Sequence, residues 1–262
     1  MIVVKLQGGL GNQLFQWAFG KNMSNLNNIP LYLDSDFYKS DIPGVTKRDF
    51  SLNKFPYLNY KLTDVLENNG KQFLRFFEQA FFTKLEYNTS YNYYLDGYFQ
   101  SEKYFIESSG VIRKELSPTG DNLDKLRKKY PIDKNNISIH IRRTDYVTSN
   151  GYHPVQSIEY YKQAIEIIGD YDNIFVFSDD INWCKENLKF DNMIFVDGND
   201  DVEDMWLMSI CNHNVIANSS FSWWGAWLNN NPDKKVIAPK NWFGQQVNVN
   251  TNDMIPENWI KL

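Results

Sequence analysis

Isoleucines alternate with polar residues in "ISIHIRR" (137–143). Ile137, Ile139 and Ile141 fall on one face and His140 and Arg142 on the other, which predicts a strand with a two-sided character. The stretch "QSIEYYKQAIEIIG" (156–169) carries Ile158, Tyr161, Ile165 and Ile168 at helical spacing. "NIFVFSDD" then predicts a strand and turn, residues 182–188 a short helix, and "MIFVDGND" a strand and turn. "VEDMWLMSIC" predicts a helix, "NVIAN" a strand, "SSFSWWGAWLNN" a helix and "KKVIAP" a strand. Strand and helix alternate through the back half, as expected of a parallel sheet with crossover helices.

The front half is less regular. "MIVVKL" predicts a strand, "GNQLFQWAFGKNMSNLN" a helix and "IPLYLD" a strand. "KQFLRFFEQAFFTKL" (71–85) places Phe73, Phe76, Phe77, Ala80 and Phe81 on one helical face, and "YNYYLDGYF" predicts another strand. Residues 120–136 are polar and charged and contain Pro131, so a domain boundary is placed there, with domains over 1–132 and 133–262. The expected fold class is α/β: two Rossmann-like domains with a cleft between them.

The composition narrows the function. The 262 residues are 42% hydrophobic and 16% aromatic, too apolar for a disordered chain. Net charge is −5, which argues against a broad nucleic-acid surface and requires any anion site to be local. No apolar run is long enough to span a bilayer. The first residues form a strand pattern rather than a targeting leader. Cys184 and Cys211 fall in helix-like segments and are expected to be packing residues in a reduced cytosol. A cytoplasmic location follows, with peripheral attachment at the inner face of the membrane left open by Lys71, Arg75 and Lys84 among the phenylalanines.

In open parallel sheets, ligands bind beyond the carboxyl ends of the strands. Polar clusters follow four back-half strands: Arg142, Arg143 and Asp145; Ser178, Asp179 and Asp180; Asp197, Gly198 and Asn199; and Asn218, Ser219 and Ser220. Arginine offers a charged planar fork suited to phosphate. The "NSS" triplet at a helix start offers amides and hydroxyls to an anion, or is an ordinary cap. Asp179 and Asp180 suit a ribose diol or a purine donor edge, or a solvated turn. Arg143 is a further donor-binding candidate, though it is expected to turn away from Arg142, toward Asp145.

The loop "QGGLGNQLFQ" (7–16) has neither dinucleotide-binding nor P-loop spacing. Gly8, Gly9 and Gly11 permit a tight turn and close ligand approach. Asn12 and Gln13 could bond sugar hydroxyls. "DSD" (34–36) is a weak metal candidate, since arginines already supply diphosphate neutralisation. Asp34 and Asp145 are candidate bases, and Asp145 could equally hold an arginine in place. The tryptophans of "WWGAW" fit a core better than a sugar platform.

Taken together, "GGLGNQLFQWAFG", "LDGYFQSEKYF", "HIRRTDY", "FSDD" and "NSSFSWWGAWL" resemble the α-1,2-fucosyltransferases of glycosyltransferase family 11. The match runs in the family's order across most of the chain. The common "R-R-G-D" form has Gly where this chain has Thr144. The resemblance implies a GT-B-like two-domain fold and an inverting enzyme of bacterial type that takes fucose from GDP-fucose without a metal or other cofactor. The acceptor would be a galactose-terminated oligosaccharide or lipid-linked glycan, fucosylated at the 2-hydroxyl. It implies that residues 133–262 bind the donor, with Arg142 on the β-phosphate, His140 and the "SDD" aspartates near guanosine, and Asn218, Ser219, Ser220 and Phe221 facing the phosphates. Gly9, Gly11, Asn12 and Gln13 would lie near the acceptor and reaction centre. A glycosyltransferase using another GDP-sugar, or a sugar-binding protein without turnover, are the alternatives.

Overall fold

The computed structural model describes residues 1–40, 46–65, 69–79, 82–148, 151–244, 247 and 250–262. The chain forms two compact units. Met1–Leu116 with Asn250–Pro256 make the first, and Ser117–Val249 with Glu257–Leu262 the second. Each is built on its own parallel sheet.

The first unit runs β1 (Ile2–Lys5), α1 (Leu10–Asn27), β2 (Leu31–Asp34), β3 (Lys61–Leu62), β4 (Phe73–Phe77), β5 (Asn92–Asp96) and α2 (Ser109–Leu116). The sheet order is β3-β2-β1-β5-β4. Helix α1 packs on β1 and β2 and buries Leu14, Phe15, Trp17, Ala18 and Phe19. The helix expected over 71–85 is not formed. Phe73–Phe77 is instead a parallel edge strand, in register from Phe73↔Asn92 to Phe77↔Asp96. An aromatic-rich run satisfies both periods, and aromatic residues favour the pleated backbone when an open sheet edge is available. Phe76 packs against Phe19 and Phe99, while Phe73, Leu74 and Phe77 stay exposed. Ala80 and Phe81, assigned to that helix, lie outside the described residues.

The second unit runs α3 (Gly120–Lys129), β6 (Asn136–Ile141), α4 (Thr144–Thr148), α5 (Ile158–Ile168), β7 (Asn173–Ser178), α6 (Ile181–Asn187), β8 (Met193–Phe195), α7 (Asp201–Ser209), β9 (His213–Val215), α8 (Ser220–Leu228), β10 (Val236–Ala238) and β11 (Ile260–Lys261). Its sheet order is β11-β10-β9-β6-β7-β8. The division falls at Leu116/Ser117, ahead of α3. Charged as it is, α3 belongs to the second unit: Leu126 is buried, α3 contacts α7, and Tyr130 meets the Phe175 ring edge-on at 5.8 Å. The two-residue β11 is too short to leave a period in the sequence.

The alternation in β6 is realised. Ile137, Ile139 and Ile141 join Tyr161, Ile165 and Ile168 of α5 in one core. His140 lies on the opposite face, against Phe221 of α8 at 5.6 Å between ring centroids. Trp223, Trp224 and Trp227 are buried core residues, and both cysteines are buried and unpaired. Among the described residues, no helix is long and apolar enough to cross a membrane.

Candidate active site

In the second sheet the chain proceeds from β6 to β7 and β8 on one side, then returns to β9 on the other side of β6. The direction of winding reverses between β6 and β9. At such a point the connections diverge and leave a crevice at the carboxyl ends. The segment after β6 is Arg142–Arg143, and the segment after β9 leads through Asn218 into α8. Topology therefore brings the arginine pair and the "NSS" helix start to one crevice.

At α8 the first-turn amides lack intrahelical partners. Ser219 occupies the cap position, but its side chain makes no capping bond, and the first turn has no acidic residue. A helix start carries partial positive charge and can seat an anion. His140 stands beside it. Its imidazole is buried, and burial first, then the Arg142 charge, pushes its pKa down to about 3 against the pull of Asp179. It is neutral at working pH, and its Nδ1 has no hydrogen-bond partner among the described residues. A buried polar atom left in this way is uncommon and calls for a ligand or a water. Asn218 is more committed than expected. Its Nδ2 donates to Trp242 O at 2.9 Å, and its Oδ1 accepts from Gln156 Nε2 at 3.1 Å.

The arginines are not spare positive charge. Arg142 donates through Nε and Nη2 to the two oxygens of Asp145, each at 2.9 Å, and its Nη1 lies 3.2 Å from Asp179. Burial disfavours the guanidinium, but the Asp145 bond and the Asp179 charge outweigh it and raise its pKa. Arg143 does not meet Asp145. It reaches Asp180 through Nε at 3.3 Å and stacks 3.7 Å above Trp183. The aspartates explain the difference. Asp179 accepts from the Arg143 amide at 2.9 Å and the Thr144 amide at 3.2 Å, and from the Thr144 hydroxyl, so it caps α4. Asp180 caps α6 through the Trp183 amide at 3.2 Å. Half-buried cations require such partners. Two arginines against three aspartates leave the cluster at −1, so the pair supplies no net positive charge of its own. Both oxygens of Asp145 are engaged by Arg142, which makes it an anchor rather than an available base.

Sequence reasoning did not single out Tyr146 or Trp183. Tyr146 donates its hydroxyl to Asn218 O at 2.9 Å, and its ring lies 5.6 Å from the Arg142 guanidinium. It ties the segment after β6 to the segment after β9. Its place in "HIRRTDY", one turn after Arg142, was the available signal.

In the first unit the winding reverses between β1 and β5, and the Gly-rich loop follows β1 there. Gly8 has φ +81°, a left-handed turn that favours glycine. Gly9 caps α1 with open space at its Cβ position, while Gly11 is buried within α1. Gln13 cannot serve a sugar as expected: it is buried, donates to Gly8 O and Asp49 O, and accepts from the Ser51 amide at 2.9 Å. Asn12 remains half-buried, with Oδ1 accepting from Gln100 Nε2 at 2.7 Å. Asp34 accepts from the Tyr94 hydroxyl at 2.6 Å and from the Asp36 amide at 3.0 Å. Asp36 pairs with Lys39. Among the described residues, no group of three His, Cys, Asp or Glu side chains is placed to hold a metal ion.

Two parallel α/β units, one with an arginine pair and a helix start at its switch point, suit a glycosyltransferase. The similarity to known proteins agrees. Residues 1–262 match Glycosyl transferase family 11, and the chain belongs to that family. It is 34% identical to an alpha-1,2-colitosyltransferase of Escherichia coli, covering 100% of this chain and 99% of that protein. It is 31% identical to the O-antigen biosynthesis glycosyltransferase WbnK of Escherichia coli, covering 98% and 99%. Among solved structures, it shares the fold of the NodZ alpha-1,6-fucosyltransferase soaked with GDP-fucose. That likeness has a TM-score of 0.51 and 12% identity, over 87% of this chain and 91% of that one.

Proposed function

We propose that this glycosyltransferase moves fucose from GDP-fucose to the 2-hydroxyl of a terminal galactose, with inversion and without a metal. One observation carries the reading: the α8 start that Ser219 does not cap, Arg142, and a neutral His140 whose Nδ1 has no partner among the described residues converge at one switch point. As the sugar–oxygen bond breaks, charge grows on the β-phosphate of the leaving GDP. Donors aimed at that charge strengthen in the transition state and so accelerate the reaction. The α8 amides bind the phosphate oxygens. The phosphate competes with Asp145 for the Arg142 fork, and each charge-assisted bond contributes about 1.5–3 kcal/mol. His140 offers Nδ1 to the nucleotide.

A second reading has a specific basis. The relative at 34% identity is named for colitose, which is fucose without its 3-hydroxyl. A GDP-linked 3-deoxy donor fits the same phosphate seat. Incubating the purified protein with GDP-fucose or GDP-colitose and a panel of β-galactosides, with and without EDTA, tests both. The expected result is transfer from GDP-fucose, undiminished by EDTA, with an α-1,2 linkage in the product by NMR. Transfer from GDP-colitose alone selects the second reading. Transfer from neither donor, or full loss with EDTA and restoration by Mn²⁺, rejects the proposal.

A further inference from the structure

The loop Gly97–Gln100 leaves β5 at the switch point of the first sheet and is held with unusual force. Glu78, just beyond β4, turns its carboxylate into it. Oε2 accepts from the Tyr98 amide and Oε1 from the Phe99 amide, each at 2.7 Å, and the Gln100 amide also bonds to it. Burial pushes the Glu78 pKa up, and these amides pull it back toward ionisation. Gly97 is required, because a Cβ there would lie 2.4 Å from Glu78 Cβ. Phe99 takes a left-handed backbone, φ +54°, which is costly for a bulky side chain. Its ring is fully buried against Phe19 at 4.8 Å and Tyr104 at 5.3 Å.

Between these fixed neighbours Tyr98 is turned outward and is 41% exposed. Its surroundings are those of the Gly-rich loop. Gln16 Nε2 donates to Gly97 O at 3.1 Å, and Gln16 Oε1 accepts from the Gln7 amide at 3.0 Å. Gln100 bonds Asn12. Tyr38, whose hydroxyl donates to Gly8 O at 3.0 Å, lies within electrostatic reach of Tyr98. The result is a tyrosine presented from a fixed backbone, exposed beside the half-buried amides of Asn12 and Gln100.

We propose that Tyr98 is the surface on which the acceptor's terminal galactose stacks, with Asn12 and Gln100 as hydrogen-bonding partners and Glu78 as the residue that positions it. The inference rests on the transferase reading above and names its acceptor subsite. A β-galactopyranoside has a continuous C–H patch on one face, because its axial 4-hydroxyl points to the other. That patch suits an aromatic ring, and stacking leaves the 2-hydroxyl at the sugar's edge. Tyrosine offers this area at low conformational cost.

The test uses the full protein and the variants Tyr98→Phe, Tyr98→Ala and Glu78→Gln. Methyl β-D-galactoside is titrated by NMR in the presence of GDP, and transfer kinetics are run alongside. Tyr98→Ala should weaken galactoside binding and raise acceptor KM by about tenfold, with GDP affinity unchanged. Tyr98→Phe keeps the ring and should keep the affinity. Glu78→Gln presents an NH2 to one of the three amides, and should raise acceptor KM more than it lowers kcat. Galactoside binding unaltered in Tyr98→Ala overturns the inference. Failure of wild-type to bind GDP instead rejects the donor reading, and the galactoside titration still decides the role of Tyr98.

Discussion

Arg142 and Arg143 are neighbours of the same chemical type with different work. Arg142 holds both oxygens of Asp145 with its fork, whereas Arg143 lies on Trp183 and meets Asp180. Lysine keeps the charge but not the fork. Arg142→Lys should therefore lower the transfer rate by about 100-fold or more, from roughly 3 kcal/mol of lost transition-state stabilisation. Arg143→Lys should change the rate little and lower the melting temperature, through loss of a desolvated cation–π contact worth about 1–2 kcal/mol. Rates and melting curves of the two variants check both; near-normal transfer by a folded Arg142→Lys would remove the arginine from the reaction. The face of His140 was legible, because a period of two is local. The arginine partners were not, because Asp179 and Asp180 come from 36 and 37 residues away.

Among the elements, α7 and α8 treat their amino ends in opposite ways. In α7, Asp200 accepts from the amides of Val202 at 2.9 Å and Glu203 at 2.8 Å, and three acidic residues occupy the first turn. In α8 the Ser219 side chain makes no capping bond, and no acidic residue occupies the first turn. One end is closed by its own side chains, and the other is not closed by its cap residue. The α7 cluster has a pH consequence. Burial, with the charges of Asp200 and Asp201, raises the Asp204 pKa to about 6 against the Asn199 hydrogen bond and the Lys129 charge. A folded pKa above the unfolded one means stability present below about pH 4 and lost as pH rises through about 6. Asp204→Asn should thus melt a few degrees higher than wild type at pH 8, and the difference should vanish near pH 4; an equal shift at both values would contradict this. Most strands and helices were legible from periodicity. β4 was not, since "FLRFF" satisfies two periods and only the free edge of β5 decides between them.

In the whole molecule, the alternation of strands and helices disclosed two parallel α/β halves, but not the strand orders. Those orders matter most, because they turn separate sequence clusters into neighbours: β6 beside β9, and β1 beside β5. The charged segment around Pro131 resembled a linker, yet the exchange of units lies at Leu116/Ser117, and Asn250–Pro256 returns to the first unit. That return leaves no local pattern. Asp253 is fixed there by long-range partners, Lys103 and the Phe82 amide. The central claim is that the β6–β9 switch point seats the diphosphate of a guanine nucleotide. Hydrogen–deuterium exchange of the wild-type protein with and without GDP tests it most directly, with UDP as control. The account predicts that GDP slows exchange at the amides of 220–222 and of 142–146, and that UDP does so much less. Unchanged exchange at 220–222 in saturating GDP, or protection confined to 8–13 and 97–100, would contradict it.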